Sequence, residues 1–441
     1  MENKKIIYYL VKAMDACFFY RIKGPSKYLE RDFGWKCYFD LIDDVLEKAL
    51  NGEPTSKIKE SRLEFLKKAD IVVIERGTDQ SHLDLVKYIK KVLKKPIIFE
   101  GDDIYFDKIP ESNTGYRYFQ TRSETIKEII SICDGMTVST DFLKKFYSAY
   151  NDNIKVFNNY FDFEFYDKCE IGKNEIIASI YRTSEKIEEF ENKFPESKSE
   201  FKEEVIAKTM SFFKEESIDK IKDIIKRAFF VFNIPISEEK FLQSRQGKTV
   251  IGWGGSPTHV LDIEITREAI NDTMNKYQDL LLVLVGFDRM AQQLMNTEYK
   301  DKMRKWVTKL PLNRFWSIGL VPTAKYYGLY KKLNFDIGIA PVAANDFNRA
   351  KSPIKIQEYM IHGTFPIASK FDTYESVIGQ GKGQGLLCYN NTGAWKKSLV
   401  MAINEPEMRK QITDYNKHWI RENYDLKDHV QKLDEIYRSF L

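Results

Sequence analysis

The chain has 441 residues, enough for two or three domains that each bury a core, which excludes a single small binding module. Hydrophobic residues make up 43% and charged residues 30%, with no Gly/Ser, Gln/Asn or Pro-rich tract, so the composition is globular and not that of a disordered chain. Lys and Arg number 69 against 65 Asp and Glu, and a net charge of +4 gives no reason to expect nucleic acid as a partner.

In chain order, the first third alternates short apolar runs with amphipathic segments: KKIIYYLV, DLIDDVLEKAL, ADIVVIER, HLDLVKYIKKVLK, KPIIFEGDD, SETIKEIISIC, DGMTVST, DFLKKFYSAY and IKVFNN. Repeated strand-then-helix alternation predicts a parallel sheet covered on both faces over residues 1–167. Residues 168–246 change to long charged helical stretches with few strand signals and read as a helical insertion, with Pro195 as a break. A second α/β series, KTVIGWGG, DLLLVLVG, NRFWSIGLVP, FDIGIAPV, TFPIAS and GLLCYN, predicts a second domain over 247–424. DLKDHVQKLDEIYRSFL has apolar residues at helical spacing and predicts a closing helix over 425–441 that packs back on the first domain.

The five cysteines (17, 37, 133, 169 and 388) are scattered, odd in number and outside CxxC spacing, which argues against a disulfide framework or a zinc site. The apolar run near the start is too short and interrupted for a signal peptide or a membrane span, and no later run reaches about 18 uncharged apolar residues. A cytoplasmic protein is expected.

In open parallel sheets, ligands sit beyond the carboxyl ends of the strands, which directs attention to the residues that follow each apolar run. Arg21 lies in the FFYRIKGP loop after the first run and is either a cleft residue or a surface one. Asp102 and Asp103 follow PIIFE and have the chemistry to bind a metal or an acceptor hydroxyl. In IGWGGSPTHVLDIE a strand delivers Gly252, Gly254 and Gly255 before Ser256, Thr258, His259 and Asp262; glycines there allow close backbone approach to a ligand, or form an ordinary turn. The pattern is neither GxGxxG nor a GK[ST] P-loop, against a dinucleotide dehydrogenase or P-loop kinase. In DIGIAPVAANDFNRAKSPIKIQEYMIHGTFPIAS, Lys351, Ser352 and Lys355 surround a helix start that suits a phosphate, unless Ser352 merely caps the helix with Pro353 at its first position and the lysines are solvated. Glu358 follows Lys355 by about one turn, and a carboxylate there can hold a vicinal diol such as a ribose.

The order GWGGSPTH, LLLVLVG, DIGIAPV, KSPIKIQEYMIHGTFPIAS and a C-terminal helix resembles the nucleotide-sugar half of GT-B glycosyltransferases, in particular glycosyltransferase family 4 (group 1) and its relatives. YRIKGPSKYL, ADIVVIER, IIFEGDD, CDGMTVSTDFLKKF and VFNNYFDFEFYD occur in the order seen in the other half of that group. The resemblance implies two Rossmann-like domains facing a cleft, interrupted by the helical insertion, with the donor nucleotide on the C-terminal domain and the acceptor mainly on the N-terminal one.

It further implies a donor site of Gly254, Gly255, Ser256, Ser352 and Glu358, with Glu358 matching the ribose-holding second glutamate of the family's paired motif. The first glutamate falls on Ala350, leaving Asp346 as the candidate substitute. The family's usual Arg and Lys after the first glycine loop are missing, the nearest basic residue being Arg267, so Lys351 and Lys355 are left, with Asp346, as the catalytic candidates. Arg21, Asp102 and Asp103 are assigned to the acceptor side or to structure; the DxD metal motif of the other large glycosyltransferase fold would leave the C-terminal motifs unexplained. His82 is the only N-terminal histidine, and its apolar helical context suits packing.

The implied reaction is retaining transfer of a hexose-like residue from a nucleoside diphosphate sugar to a hydroxyl of a glycan or lipid-linked acceptor, as in polysaccharide biosynthesis. No cofactor and no metal are expected. The alternatives are a non-catalytic nucleotide-sugar or glycan-binding subunit, motivated by Ala350, and a nucleotide-sugar 2-epimerase of the same fold. In the insertion, Ile218, Ile221, Ile225 and Phe229 form an apolar stripe with basic neighbours, which suits peripheral membrane contact or a homodimer.

Overall fold

The structure, a computed structural model, describes residues 4–46, 58–170, 178–180, 234–236, 238–255, 259–286, 310–311, 314–319, 323–379 and 383–441. The N-terminal sheet comprises β1 (Ile6–Val11), β2 (Lys36–Leu41), β3 (Ile71–Glu75), β4 (Ile97–Gly101), β5 (Gly135–Val138) and β6 (Ile154–Val156), all parallel, in the order β2-β1-β3-β4-β5-β6. Its central strands are apolar until Glu75 and Glu100 near the carboxyl ends of β3 and β4, because both faces are covered. Tyr8, Leu10, Val72 and Ile74 enter one core, and Ile7, Tyr9, Ile71 and Val73 enter the other.

The second sheet comprises β7 (Ala178–Ile180), β8 (Ile234–Ile236), β9 (Thr249–Gly254), β10 (Leu280–Val285), β11 (Phe315–Ile318), β12 (Ile337–Ala340), β13 (Phe365–Ser369) and β14 (Leu386–Cys388), ordered β14-β13-β12-β9-β10-β11-β7-β8. β9 to β14 are parallel, whereas β7 and β8 run antiparallel at one edge. The same alternation serves two faces: Val250, Leu281 and Val283 on one, Ile251, Leu280 and Leu282 on the other. The fold is therefore two Rossmann-like units, as expected.

Residues 168–246 differ from the expected helical insertion where they are described. β7 and β8 extend the second sheet, and the helix Glu238–Arg245 buries Phe241 against Trp316, with ring centroids 5.2 Å apart. Three-residue strands give almost no period-two signal, and Pro235 in β8 is tolerated because that strand is the sheet edge. Pro195 and the basic stripe from Ile218 to Phe229 lie outside the described residues.

Two backbone crossings join the units. Phe161 N–H donates to Tyr424 O and Leu426 N–H to Phe161 O, both at 2.9 Å, where the chain leaves one unit and later returns. After this return the helix Leu426–Arg438 lays Leu426, Val430, Leu433 and Tyr437 into the core beneath β1, and Trp35 Nε1 donates to Asp434 at 2.6 Å. Between the units, Tyr20, Phe161, Phe163 and Tyr166 share one aromatic core with Tyr327 and Tyr330.

Candidate active site

From β9 the second sheet grows through β10 and β11 to one side, then from β12 through β13 and β14 to the other. The crevice of such a sheet opens beyond the carboxyl ends of the two strands where direction reverses, here β9 and β12. Asp262 fastens the two loops that leave them: its Oδ1 accepts from Ala343 N–H at 2.7 Å and Asn348 Nδ2 at 3.2 Å, and its Oδ2 lies 2.7 Å from His259 Nδ1. Burial, then nearby Lys355, hold the His259 pKa down at about 4, so the ring is neutral near pH 7.

Gly254 and Gly255 stand at the end of β9, with a protein reason for each. A Cβ on Gly254 would lie 1.7 Å from the Tyr330 hydroxyl, and one on Gly255 would lie 2.7 Å from the Trp253 ring and 3.4 Å from Lys355 Nζ. Ser256 and Thr258 lie outside the described residues.

The helix Ile354–His362 points its start at this crevice and stops at Gly363, whose φ of 69° is the left-handed conformation that glycine adopts freely. Pro353 occupies the N-cap position and no side chain caps the helix; Ser352 Oγ instead accepts from Asn159 Nδ2 of the N-terminal domain at 3.1 Å. The first-turn amide groups and the dipole therefore face the crevice. Lys355 Nζ sits 4.7 Å over the Trp253 ring, with no carboxylate at ion-pair distance among the described residues, and burial lowers its pKa to about 8.

Glu358, 7% exposed, accepts from Tyr20 Oη at 2.7 Å on one oxygen and from Tyr326 Oη at 3.1 Å on the other. Tyr327 Oη donates to Tyr20 Oη at 2.5 Å behind them. Burial pushes the Glu358 pKa up to about 7, against the pull of the two phenol bonds. Lys351 reaches across the cleft to Asp103 Oδ2 at 2.9 Å. Ala350 is fully buried against the N-terminal core, and its carbonyl accepts from Thr140 Oγ1 at 2.9 Å. Asp346 points to the rim, pairing with Arg349 at 2.8 Å and with Lys108 at 3.4 Å.

In the N-terminal sheet the reversal lies between β1 and β3, and the charges there are paired with one another. Arg21, 2% exposed, is held by Glu100, to which Nε donates at 2.7 Å, and by Asn159 Oδ1 at 3.0 Å and the Phe157 carbonyl, to which Nη1 donates, while its Nη2 is buried with no hydrogen-bond partner among the described residues. Asp102 Oδ1 accepts from Tyr105 Oη at 3.0 Å; burial opposes its ionisation, but Arg76 and Arg21 help hold its pKa below the usual value. Glu75 accepts from Lys12 N–H at 2.9 Å and from Arg76 Nε, while Arg76 Nη2 reaches Asp15 at 2.6 Å. His82 packs inside its helix start: Nδ1 accepts from Thr78 and Asp79 amides, which leaves Nε2–H to donate to Asp43 at 2.9 Å.

Sequence reasoning passed over His259 and Asp262 as a pair, Glu75 with Arg76, and the tyrosines 20, 326 and 327. The first two had a signal: an His-x-x-Asp spacing after a glycine loop, and an acid-base pair directly after the apolar run IVVI. The tyrosines had none, since they converge from segments over 300 residues apart. Among the described residues no group of three or more His, Cys, Asp or Glu side chains is placed to hold a metal ion, and no helix is long and apolar enough to cross a membrane.

Residues 239–419 match the family model for glycosyl transferases group 1. No curated protein sequence matches the chain. Among solved structures, a glycosyltransferase from Rickettsia africae ESF-5 superposes with a TM-score of 0.58 at 15% identity, covering 100% of this chain and 99% of that one. Anabaena HepE in complex with UDP and glucose gives 0.60 at 12% identity, covering 99% and 100%. Sucrose-phosphate synthase from Thermosynechococcus elongatus gives 0.55 at 12% identity, covering 99% of each chain.

Proposed function

We propose that this chain, which has the GT-B fold and matches the group 1 glycosyl transferase model over residues 239–419, transfers a sugar from a nucleoside diphosphate sugar to a hydroxyl of a glycan or lipid-linked acceptor. The observation that carries this reading is the start of the helix Ile354–His362: an uncapped amide turn, a Lys355 with no carboxylate counter-ion among the described residues, and Glu358 one turn on, all at the sheet's reversal point. Helix N-termini and a free cation suit a diphosphate, and a carboxylate suits the two hydroxyls of a ribose. The HepE complex with UDP and glucose supports a nucleotide sugar as the ligand.

In the reaction, the bond from the anomeric carbon to the diphosphate oxygen breaks as the acceptor oxygen bonds to that carbon. The retaining course takes the acceptor proton to the departing phosphate oxygen, so no protein nucleophile is needed. Lys355 and the first-turn amides stabilise charge as it develops on the leaving group, with Lys351 beside them once it is released from Asp103. Asp102, held ionised near Arg76, is the acceptor-side carboxylate of this scheme. Closure of the two domains over the bound donor excludes water in this scheme and so suppresses donor hydrolysis.

A non-catalytic nucleotide-sugar subunit is the second reading, favoured by Ala350, which fills the position of the family's first glutamate and is sealed against the N-terminal core. Incubation with UDP- and GDP-sugars and a glycan acceptor, with nucleotide release and sugar incorporation measured together, separates the two. Incorporation with stoichiometric release is expected. Binding without release establishes the subunit, and donor interconversion without acceptor establishes an epimerase.

A further inference from the structure

Two of the N-terminal groups that touch the donor segment, Asp103 and Tyr20, have the chemistry of parts of the donor. Asp103 places a carboxylate on Lys351 at 2.9 Å, an anion where a phosphate oxygen would be held. Tyr20 places a hydroxyl on Glu358 at 2.7 Å, where a ribose hydroxyl would be held, and Tyr326 of the same domain as Glu358 occupies the other oxygen. Asn159 donates to Ser352 Oγ between these two points. Ala350, Lys351, Ser352 and one oxygen of Glu358 are thus engaged by the opposite domain, and the cation of this segment without such a partner among the described residues is Lys355.

We infer that the N-terminal domain occupies the donor site of this protein as an internal stand-in, so that donor binding is an exchange in which Asp103 and Tyr20 are displaced from Lys351 and Glu358. This rests on the donor site proposed above. Lys355, needing no displacement, is the first landing point for the diphosphate; release of Lys351 follows, and the ribose takes Glu358 last as Tyr20 gives up its bond to that carboxylate. The exchange makes affinity a difference between two sets of matched bonds, so removing a stand-in should tighten binding even though each stand-in is itself part of a well-made contact. An ordinary structural contact predicts the reverse, a weaker or unchanged ligand affinity.

Calorimetric titration of UDP, and of GDP in parallel, into the full-length protein and its Tyr20→Phe and Asp103→Asn variants tests this. Each variant is expected to bind the accepted nucleotide about fivefold to tenfold more tightly, with the two gains combining in the double variant. Tyr326→Phe, on the same carboxylate but from the same domain, serves as the comparison that leaves the interdomain exchange intact, and its gain should be smaller than that of Tyr20→Phe. Folding is checked by thermal melting, and small-angle scattering of the free variants should show a larger radius of gyration than the wild type. Nucleotide binding by the wild type with no tightening in the folded variants overturns the stand-in alone. Binding of neither nucleotide to any form overturns the donor reading as well.

Discussion

The two sheets reverse direction in the same way, yet the strand ends at their reversal points are furnished oppositely. In the N-terminal unit Arg21 with Glu100, Arg76 with Glu75 and Asp15, and Lys12 with Asp79 form ion pairs, although the buried Arg21 Nη2 has no hydrogen-bond partner among the described residues. In the C-terminal unit an uncapped helix start and Lys355 face the crevice, and no carboxylate among the described residues lies at ion-pair distance from Lys355, Asp262 and Glu358 acting on it only at longer range. A buried charge needs a partner or a ligand, so a network that is closed by itself holds loops in place, while one left open is a seat for something else. On the function proposed above, ligand capture falls to the C-terminal side and presentation of the acceptor to the other.

The comparison breaks most severely at Arg21. Arg21→Met strands Glu100, 2% exposed, without its counter-ion and should cost about 3–5 kcal/mol, read as a lower urea midpoint for the N-terminal unfolding phase. The Arg21→Met/Glu100→Met pair should recover much of that loss. A variant of wild-type stability that loses only acceptor use would return Arg21 to the acceptor side, where sequence reading placed it.

Gly254→Ala sharpens the other half. The new methyl group meets the Tyr330 hydroxyl at 1.7 Å, and overpacking of this kind costs about 1–3 kcal/mol. Adding Tyr330→Phe removes the obstructing oxygen, leaves the ring carbon Cζ at 3.0 Å, and should recover much of the lost melting temperature. Unchanged stability with lost nucleotide binding would instead show that the glycine serves the ligand's approach.

The smallest effect concerns Lys355, whose pKa of about 8 sets the sign of a pH dependence. Charged below that value and neutral above it, Lys355 should make nucleoside diphosphate affinity fall about tenfold between pH 7 and pH 9, and Lys355→Ala should flatten this part of the profile. Affinity that is level across the range in the wild type would remove Lys355 from the phosphate site. For stability the sign is opposite: folding depresses this lysine's pKa, so the cost of holding it charged is present at lower pH and is relieved as pH rises above about 8.

Both sheets, the helix that carries Lys355 and Glu358, and the closing helix were legible in the sequence. Each is a local pattern: apolar runs buried on both faces, a proline and a glycine bracketing a helix, and apolar residues at helical spacing. The two edge strands within 168–246 were not, because three residues carry too little periodicity to register.

What the sequence could not decide is which charges remain available. Ser352 as a helix cap and Arg21 as a cleft residue followed from local context, and Asp346 as a replacement for the missing glutamate from the family resemblance; in the fold Ser352 meets Asn159, Arg21 meets Glu100, and Asp346 meets Arg349 and Lys108. Glu358 was found by its place on the helix, but its two phenol partners and its raised pKa arise only when Tyr20 and Tyr326 meet it in space. Patterning along a chain reports which surfaces must be buried, and that fixes the elements. Pairing of polar groups depends on distances of about 3 Å between segments hundreds of residues apart, which exist only once the elements have packed.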